Sequence, residues 1–309
     1  MDRGMSKIVI VRRKTRLEDL KRRYNTIEQA RFYVEHLGAD FRDYEEEHNN
    51  YLKALEEVEA IASENARVLV IDRDYIPTMI FGKDDIVIAV GQDGLVANVM
   101  KYLDGQPLLG VNPDTKRWEG DLLFFEPGDM ERVLPNVIDK NYSVKKISMG
   151  KAETKDGQVL YAVNDLFVGI NNHTSARYHI CYNNRVENQS SSGVIISTGL
   201  GMTGWHKSVM AEFRGMAKAF NLPEVQDKKF EWDNSELVFQ VREPYPSRFT
   251  QAELVYGKVQ TKDTLTFTSL MSEDGIVFSD GIQEDAIKFD AGMEIKISVA
   301  ERVGRLVAE

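Results

Sequence analysis

The strongest constraint on the fold is a short, wholly apolar segment, Ile86–Val90, which has aspartates before it and a glycine after it. A continuous apolar run of this length is typical of a strand buried on both faces, as in the middle of a parallel sheet. The next residues are Gly91-Gln92-Asp93-Gly94-Leu95, here called the GQDGL turn, and a helical pattern begins at Leu95. Open α/β sheets bind ligands at the carboxyl ends of their strands, so this turn is the first candidate site.

Strand and helix patterns alternate over the first part of the chain, at residues 7–11, 17–36, 44–63, 66–71, 86–90, 95–103 and 107–111. This alternation predicts an α/β, Rossmann-like domain at residues 1–125, to which residues 289–309 are expected to return. From about residue 142 short strand patterns dominate, and one helical stretch at 203–220 interrupts them. We therefore predict a β-rich, sandwich-like second domain at residues 126–288.

Composition narrows the class of protein. The 309 residues are 42% hydrophobic, enough for two cores, and no apolar run approaches the ~20 residues of a membrane-spanning helix. A net charge of −10 opposes general binding to nucleic acid and favours small-molecule partners. The single cysteine, Cys181, excludes an internal disulfide and suits a reducing compartment, so we expect a cytoplasmic protein without membrane or nucleic-acid partners.

One basic cluster stands apart from this acidic background, Arg12-Arg13-Lys14-Thr15-Arg16. It follows the first predicted strand, where a phosphate group would be bound in many α/β proteins. A solvated helix face accounts for such a cluster equally well, so both interpretations stay open.

The GQDGL turn carries residues suited to phosphate chemistry. Its glycines let backbone amides approach a phosphate, and the following helix contributes unpaired N–H groups. A carboxylate in this place repels phosphate, so Asp93 needs a further reason, such as holding Mg²⁺ or accepting a hydroxyl proton. The alternative is a plain Asp-Gly turn.

Two further motifs lie in the predicted β-rich domain. Residues 199–204 (Gly-Leu-Gly-Met-Thr-Gly, the glycine turn) satisfy G-x-G-x-x-G, but no βαβ unit surrounds them, which argues against a dinucleotide-binding dehydrogenase. The ND pair, Asn164-Asp165, offers a donor and an acceptor for the two hydroxyls of a ribose. A turn between two strands is the alternative for this pair.

The order of these motifs resembles that of the NAD kinase family. Its G-G-D-G-T turn, G-I/V-N strand end, N-E/D pair and T-P-T-G-S-T-A-Y segment correspond here to 91–95, 110–112, 164–165 and 198–205. The last segment, Thr-Gly-Leu-Gly-Met-Thr-Gly-Trp, is most similar to the T-G-T-G-S-K-A-W of the mitochondrial-type branch. Supporting matches occur at Lys14-Thr15-Arg16, at Asp114 with Arg117, Glu119 and Gly120, at Ser191-Ser192-Gly193 and at Arg242-Glu243-Pro244.

The resemblance implies a kinase that uses ATP and Mg²⁺ to phosphorylate the adenosine ribose 2′-hydroxyl of NAD, with the site in the cleft between two domains. Asp93 would act beside that hydroxyl, and Mg²⁺ would be held mainly by nucleotide phosphates rather than by a protein cage. Nucleotide contacts would come from Gly91, Gln92, Gly94, Leu95, Asn112, Asn164, Asp165, Thr203, Gly204, Trp205, Ser208, Lys14 and Arg16. Family members commonly form homo-oligomers, so we expect one here.

Four departures from the family pattern bear on activity, and two of them, Leu200 and Met202, replace polar residues in the last motif. Gln92 replaces the second glycine, which would strain the backbone if that position required a positive φ. Leu95 replaces a threonine whose hydroxyl would bind phosphate or a metal-bound water. We therefore expect weakened activity or an unusual substrate, and two alternatives remain: a kinase of another small alcohol or sugar, and a non-catalytic nucleotide-binding protein.

Overall fold

The computed structural model describes residues 7–223 and 230–308, which divide into two compact units. The first comprises the chain up to Lys145 together with its end from Arg305, and the second comprises Lys146–Gly304. The first unit is α/β and the second is rich in antiparallel strands, so the predicted fold class is confirmed. None of the helices in the described residues is both long and apolar enough to cross a membrane.

The first unit is built on a parallel sheet in the order β2-β1-β3-β4. Its strands are β1 Lys7–Arg12, β2 Arg67–Asp72, β3 Ile86–Val90 and β4 Pro107–Val111. Its helices are α1 Arg16–Tyr24, α2 Ile27–His36, α3 Phe41–Asn65, α4 Asp93–Met100 and α5 Met130–Ile138. All residues of β3 are buried, as the apolar run predicts for a central strand.

The core of the first unit explains why it extends past residue 125. Val133, Leu134 and Val137 of α5 pack in one cluster with Leu55 and Val58 of α3. Helix α5 had no counterpart in the sequence-based interpretation, and its packing places residues 126–145 in the first unit, not the second as predicted. At the other end, only residues from 305 onward return to this unit, where Arg305 and Leu306 pair in parallel with β4.

The second unit contains two sheets. One is antiparallel, in the order β12-β11-β10-β7-β14-β15. Its strands are β7 Asp165–Ile170, β10 Val194–Ser197, β11 Glu236–Val241, β12 Tyr256–Gln260, β14 Gly275–Ser279 and β15 Ile282–Lys288. The other contains β5 Ser143–Thr154, β6 Val159–Ala162, β8 Ala176–Tyr182, β9 Arg185–Ser191, β13 Leu265–Ser269 and β16 Glu294–Ala308.

A single apolar cluster joins the two sheets of this unit. It includes Val168 and Ile196 from the first sheet and Ile180, Phe267 and Ile297 from the second. Helix α6, Trp205–Ala219, follows β10 after the glycine turn. Over the described residues the arrangement is a sandwich of two sheets with one α-helix, as predicted for the β-rich domain.

Candidate functional site

The GQDGL turn lies at the carboxyl end of β3, and α4 begins within it. Gln92 is the N-cap residue of α4 and makes no side-chain capping hydrogen bond. The amino end of α4 is therefore not covered by a capping side chain, and it keeps the partial positive charge that attracts anions. Of the two helix starts at the carboxyl ends of β1 and β3, this one is suited to a phosphate group.

The backbone at Gln92 is unstrained. Its φ is −112° and its ψ is 165°, an ordinary extended conformation that any residue adopts. The expected strain from replacing a glycine is therefore absent. Gln92 instead lines a neighbouring cavity.

Asp93 is hydrogen-bonded to the backbone of the loop after β4. Its Oδ2 accepts the amide of Asp121 and its Oδ1 accepts the amide of Leu122, both at 2.9 Å. Each oxygen keeps a second acceptor position, so the carboxylate can also accept a hydroxyl proton or contact a cation. The two amides fix its orientation.

A cavity of about 620 Å³ lies beside Asp93. Gln92, Asp93 and Gly94 form one wall, and residues 115–120 with Leu123 form the rest. Lys116 and Arg117 bring positive charge to the lining of this cavity, and Asp93 and Glu119 bring negative charge. Such a mixed lining suits a ligand with phosphates and hydroxyls, or a phosphate with its metal ion.

Asn112 holds the loop that forms this wall. Its Nδ2 donates to the carbonyl of Trp118 at 2.8 Å, and its Oδ1 accepts the amide of Asp114 at 3.0 Å. The side chain is only 5% exposed. In the described structure Asn112 shapes the loop, and any contact with a nucleotide would add to that role.

Leu95 occupies the core and not the cavity. It is 4% exposed, and a Cβ added to Gly91 would lie 2.9 Å from its Cδ2. Gly91 is thus a glycine because Leu95 packs directly over it. Gly94 differs, since a Cβ added there would meet no heavy atom within 4 Å.

The basic cluster at 12–16 is paired with carboxylates. Lys14 contacts Asp74, and Arg16 contacts Asp43 at 2.7 Å and also Glu47, which is 2% exposed. Hydrogen bonds from Arg117 and then from Arg16 lower the pKa of Asp43 to about 2. The cluster is therefore neither the solvated helix face nor the open phosphate site that the sequence left as alternatives, because its cations are paired with carboxylates that a phosphate would have to displace.

Thr15, between these cations, caps α1. It forms a capping box with Glu18, and its hydroxyl is 2.8 Å from Nδ1 of His48. The amino end of α1 is therefore already satisfied, in contrast to that of α4. Lys14 and Arg16 remain predictions as ATP contacts.

In the second unit the ND pair lies directly beneath the glycine turn. A Cβ on Gly201 would lie 2.1 Å from the carbonyl oxygen of Asn164 and 2.9 Å from Oδ1 of Asp165. Thr198 ties the two segments, because its amide donates to Asn164 O and its hydroxyl donates to Val163 O. The glycine at 201 is required by this close approach.

Asp165 is a weak acid in this position. Burial raises its pKa, a hydrogen bond from the Ser197 hydroxyl lowers it, and the charge of Asp280 raises it, with a resulting pKa of about 7. A carboxyl group with such a pKa is poised to donate or accept a hydrogen bond near neutral pH. Its Oδ2 lies 3.8 Å from the Cβ position of Gly204, so it reaches towards the glycine turn.

The remaining predicted contacts lie at the start of α6. Thr203, Gly204 and Ser208 are exposed, and the Thr203 hydroxyl donates to the carbonyl of Leu200 at 3.0 Å. Trp205 is stacked on Phe167, with ring centroids 5.5 Å apart, and the Arg242 guanidinium lies 5.4 Å from its ring centroid. Both residues that contact the Trp205 indole, Phe167 and Arg242, belong to the second unit.

The glycine turn does not belong to a dinucleotide-binding βαβ unit. Strand β10, which leads into it, pairs antiparallel with both β7 and β11. A dehydrogenase fingerprint requires a parallel strand before the helix. The argument against that class of enzyme is confirmed by this topology.

Several residues near these motifs were not selected from the sequence. Lys116 and Trp118 line the cavity, and their only sequence signal is their position shortly after Asn112. Asp280 contacts the backbone of the ND pair, yet Asp280-Gly281 looks like any hairpin turn in the sequence. Within the described residues no group of three or more His, Cys, Asp or Glu side chains is placed to hold a metal ion.

Comparison with solved structures gives the fold class. The chain is similar to yeast NADH kinase, crystallised with NADH, at a TM-score of 0.59 and 15% identity over 99% of this chain and 84% of that one. It is also similar to an NAD kinase from Archaeoglobus fulgidus, crystallised with ATP, at a TM-score of 0.55 and 15% identity over 97% and 92% of the two chains. No family model and no curated protein matches the sequence significantly. The fold is that of the NAD kinases.

Proposed function

We propose that this protein is an NAD kinase-like phosphotransferase, which transfers the γ-phosphoryl group of ATP to the adenosine ribose 2′-hydroxyl of NAD and so forms NADP. The observation that carries the proposal is the agreement of two independent features. The fold is that of NAD kinases, and the collinear motifs of that family fall at the carboxyl end of β3 and beneath the glycine turn.

Asp93 is the residue to which we assign the chemistry. Its carboxylate lines a cavity at the uncapped start of α4, where an anion is favoured, and retains acceptor positions for the proton of a sugar hydroxyl. Mg²⁺ would be held mainly by the nucleotide phosphates, and Asp93 would be its protein oxygen ligand. The ion would neutralise part of the phosphate charge. Lys116 would add positive charge to the same cavity, whereas Arg117 is already paired with Asp43 and Asp114.

The ND pair and the residues after it are assigned to NAD. Asn164 and Asp165 would bind ribose hydroxyls, and Thr203, Gly204, Trp205 and Ser208 would add contacts at the start of α6. The motif at 198–205 supports a mitochondrial-type relative within the family. The homo-oligomer and the cytoplasmic location stay proposals of the same kind.

The alternatives rest on one specific observation, the buried side chain of Leu95. Without a hydroxyl at this position, the turn lacks a donor that the family pattern supplies. That favours a slower enzyme, a kinase for another small alcohol or sugar, or a protein that binds nucleotide without turnover.

The test is NADP formation from NAD, ATP and Mg²⁺, followed by a coupled NADP-specific dehydrogenase. Replacing a general base costs about 100- to 10,000-fold in rate, so Asp93→Asn is expected to lose at least about 100-fold. Asp121→Asn makes the same charge change on the neighbouring loop and is expected to retain activity. Equal rates for wild type and Asp93→Asn remove Asp93 from the mechanism.

Ligand stabilisation separates the alternatives. A rise in Tm with NAD or NADP supports the proposed acceptor, and a rise with ATP alone supports a kinase for a different acceptor. Stabilisation by nucleotides without any product supports the non-catalytic protein.

A further inference from the structure

Asp280 makes an unusual set of contacts at the turn between β14 and β15. Its carboxylate accepts hydrogen bonds from three consecutive backbone amides, those of Val163 at 3.0 Å, Asn164 at 2.7 Å and Asp165 at 3.2 Å. Its own amide donates back to the carbonyl of Asp165 at 2.9 Å. One side chain thus fixes the backbone on which the ND pair is carried.

These contacts begin where the strand ladder ends. Strands β14 and β7 are antiparallel, with Ser279 opposite Leu166. Beyond that pair the amides of 163–165 find the Asp280 carboxylate in place of a partner strand. Hydrogen bonds to an ionised acceptor are roughly twice as strong as neutral ones, so the anion holds this segment firmly.

The arrangement carries two costs that a simple turn would avoid. Asp280 has a φ of 53°, in the left-handed region that disfavours residues with a Cβ, although aspartate and asparagine tolerate it better than most. Its charge also lies close to Asp165 and opposes ionisation of that carboxyl. A glycine or asparagine would make the turn without placing a second carboxylate here.

We propose that Asp280 is a positioning residue, whose carboxylate sets the direction of the Asn164 and Asp165 side chains towards a ribose hydroxyl pair. The inference rests on the proposed function, because it takes NAD as the ligand of the ND pair. The hydrogen bonds that Asp280 makes with residues 163–165 are to their backbone, so it acts on the ND pair through the backbone that carries it.

The chain offers a matched control. Asp274 lies at the other end of β14, is exposed and has a φ of 61°. Its carboxylate accepts a hydrogen bond from the Asn172 side chain and makes none of the contacts described for Asp280. Asp274→Gly and Asp280→Gly therefore relieve the same backbone conformation, and only the second removes the carboxylate from residues 163–165.

Two measurements test the proposal. In the ligand-free protein, hydrogen exchange at the amides of 163–165 is expected to quicken at least about 10-fold in Asp280→Gly and to stay unchanged in Asp274→Gly. In titrations and assays, the Kd and KM for NAD are expected to rise at least about 10-fold in Asp280→Gly while the KM for ATP stays within about 2-fold. Asp280→Asn keeps one acceptor oxygen and the turn conformation, so a smaller rise for NAD is expected, and it replaces Asp280→Gly if that variant fails to fold.

The possible outcomes distinguish the role of Asp280 from the proposed function. Unchanged exchange at 163–165, or an equal rise in KM for NAD and ATP, overturns the role of Asp280. If the wild-type protein binds NAD and the Asp280 variant binds it with unchanged affinity, the role of Asp280 is wrong. The proposed function is then unaffected. If the wild-type protein does not bind NAD, both the proposed function and the role of Asp280 are wrong.

Discussion

Oδ1 of Asp93 accepts the backbone amide of Leu122 at 2.9 Å, so the acidic residue of the GQDGL turn is tied to the loop that follows β4. The same loop approaches β4 closely, because a Cβ added to Gly110 would lie 2.1 Å from the carbonyl oxygen of Leu122. Asp93 therefore has a structural role as well as its proposed chemical one. Loss of activity on its replacement has to be compared with loss of stability.

Asp93→Asn is expected to lower the free energy of unfolding by roughly 1–3 kcal/mol, because the new amide group faces a backbone N–H where the carboxylate oxygen accepted one. Urea unfolding of the ligand-free protein measures this. Asp121→Asn, whose side chain is exposed, is expected to change stability by no more than about 0.5 kcal/mol. Equal stability of the two variants would mean that the bonds to Asp121 and Leu122 contribute nothing.

Gly94→Ala is expected to leave the fold intact and to weaken nucleotide binding. An added Cβ meets no atom of the protein within 4 Å, so stability stays the same or rises by up to about 1 kcal/mol. If a phosphate rests on this turn, the methyl group occupies its place, and titration calorimetry is expected to show at least about a 10-fold loss in ATP or NAD affinity.

The control for this change is Gly215→Ala in α6, where an added Cβ also meets no atom within 4 Å. There a helix-interior glycine is replaced, so a gain of about 1 kcal/mol in stability with unchanged affinity is expected. Unchanged affinity in Gly94→Ala as well would contradict phosphate binding at the GQDGL turn.

Asp165 is expected to make stability fall as pH rises from about 4 to about 7. Its pKa in the folded protein, about 7, lies above the ordinary value of 3.8, so the folded state binds more protons than the unfolded state in this window. Stability therefore falls with increasing pH there. Asp165→Asn removes this titration, and its urea midpoint is expected to depend less on pH between about 4 and about 7.

The carboxyl group of Asp43 affects stability at lower pH, and a substitution at Asp274 serves as the control for Asp165→Asn. Asp43, with a pKa lowered to about 2, contributes stability that is present above its unfolded pKa and is lost as pH falls below about 4. Asp274→Asn, an exposed change in the same unit as Asp165, is expected to keep the wild-type pH dependence. A wild-type slope in Asp165→Asn would show that this carboxyl is not the group responsible.

Leu95→Thr, which restores the residue type of the NAD kinase pattern, is expected to destabilise the protein and not to activate it. The Leu95 side chain is buried, and loss of its packing with burial of a hydroxyl costs roughly 2–4 kcal/mol. Leu95→Val matches threonine in shape without the hydroxyl and isolates the packing effect in urea unfolding. An increase in NADP formation in Leu95→Thr alone would show that the hydroxyl reaches the nucleotide.

Periodicity predicted the elements whose local pattern agrees with their environment. The apolar run at Ile86–Val90 is a buried central strand because only such an environment satisfies five successive apolar side chains. The predicted helix at 17–36 is two helices, since Asn25 adopts a φ of 64° and Thr26 caps a new one. The periodicity predicted that both segments are helical. The break between them depends on the left-handed backbone conformation of Asn25, which the periodicity does not show.

Two other elements, β9 and α5, have sequence patterns too weak to predict them. Strand β9, Arg185–Ser191, is largely polar, and its buried Glu187 and Gln189 are satisfied by each other and by the backbone of Leu254, which is distant in the chain. Helix α5 contains Pro135, which weakens a helical prediction, and its amphipathic face gains meaning only against α3. Tertiary packing overrides local preference in both cases.

The sequence by itself determined the two-part architecture, the order of the motifs and the turn residues at 91–95 and 199–204, because these depend on composition and spacing along the chain. Tertiary structure alone decided that Asp93 holds the amides of 121 and 122, that the cations at 14 and 16 are paired with acids, and that Asp280 holds the ND pair. Such contacts join residues far apart in sequence, and whether a charge is paired or available depends on distances that no local pattern encodes.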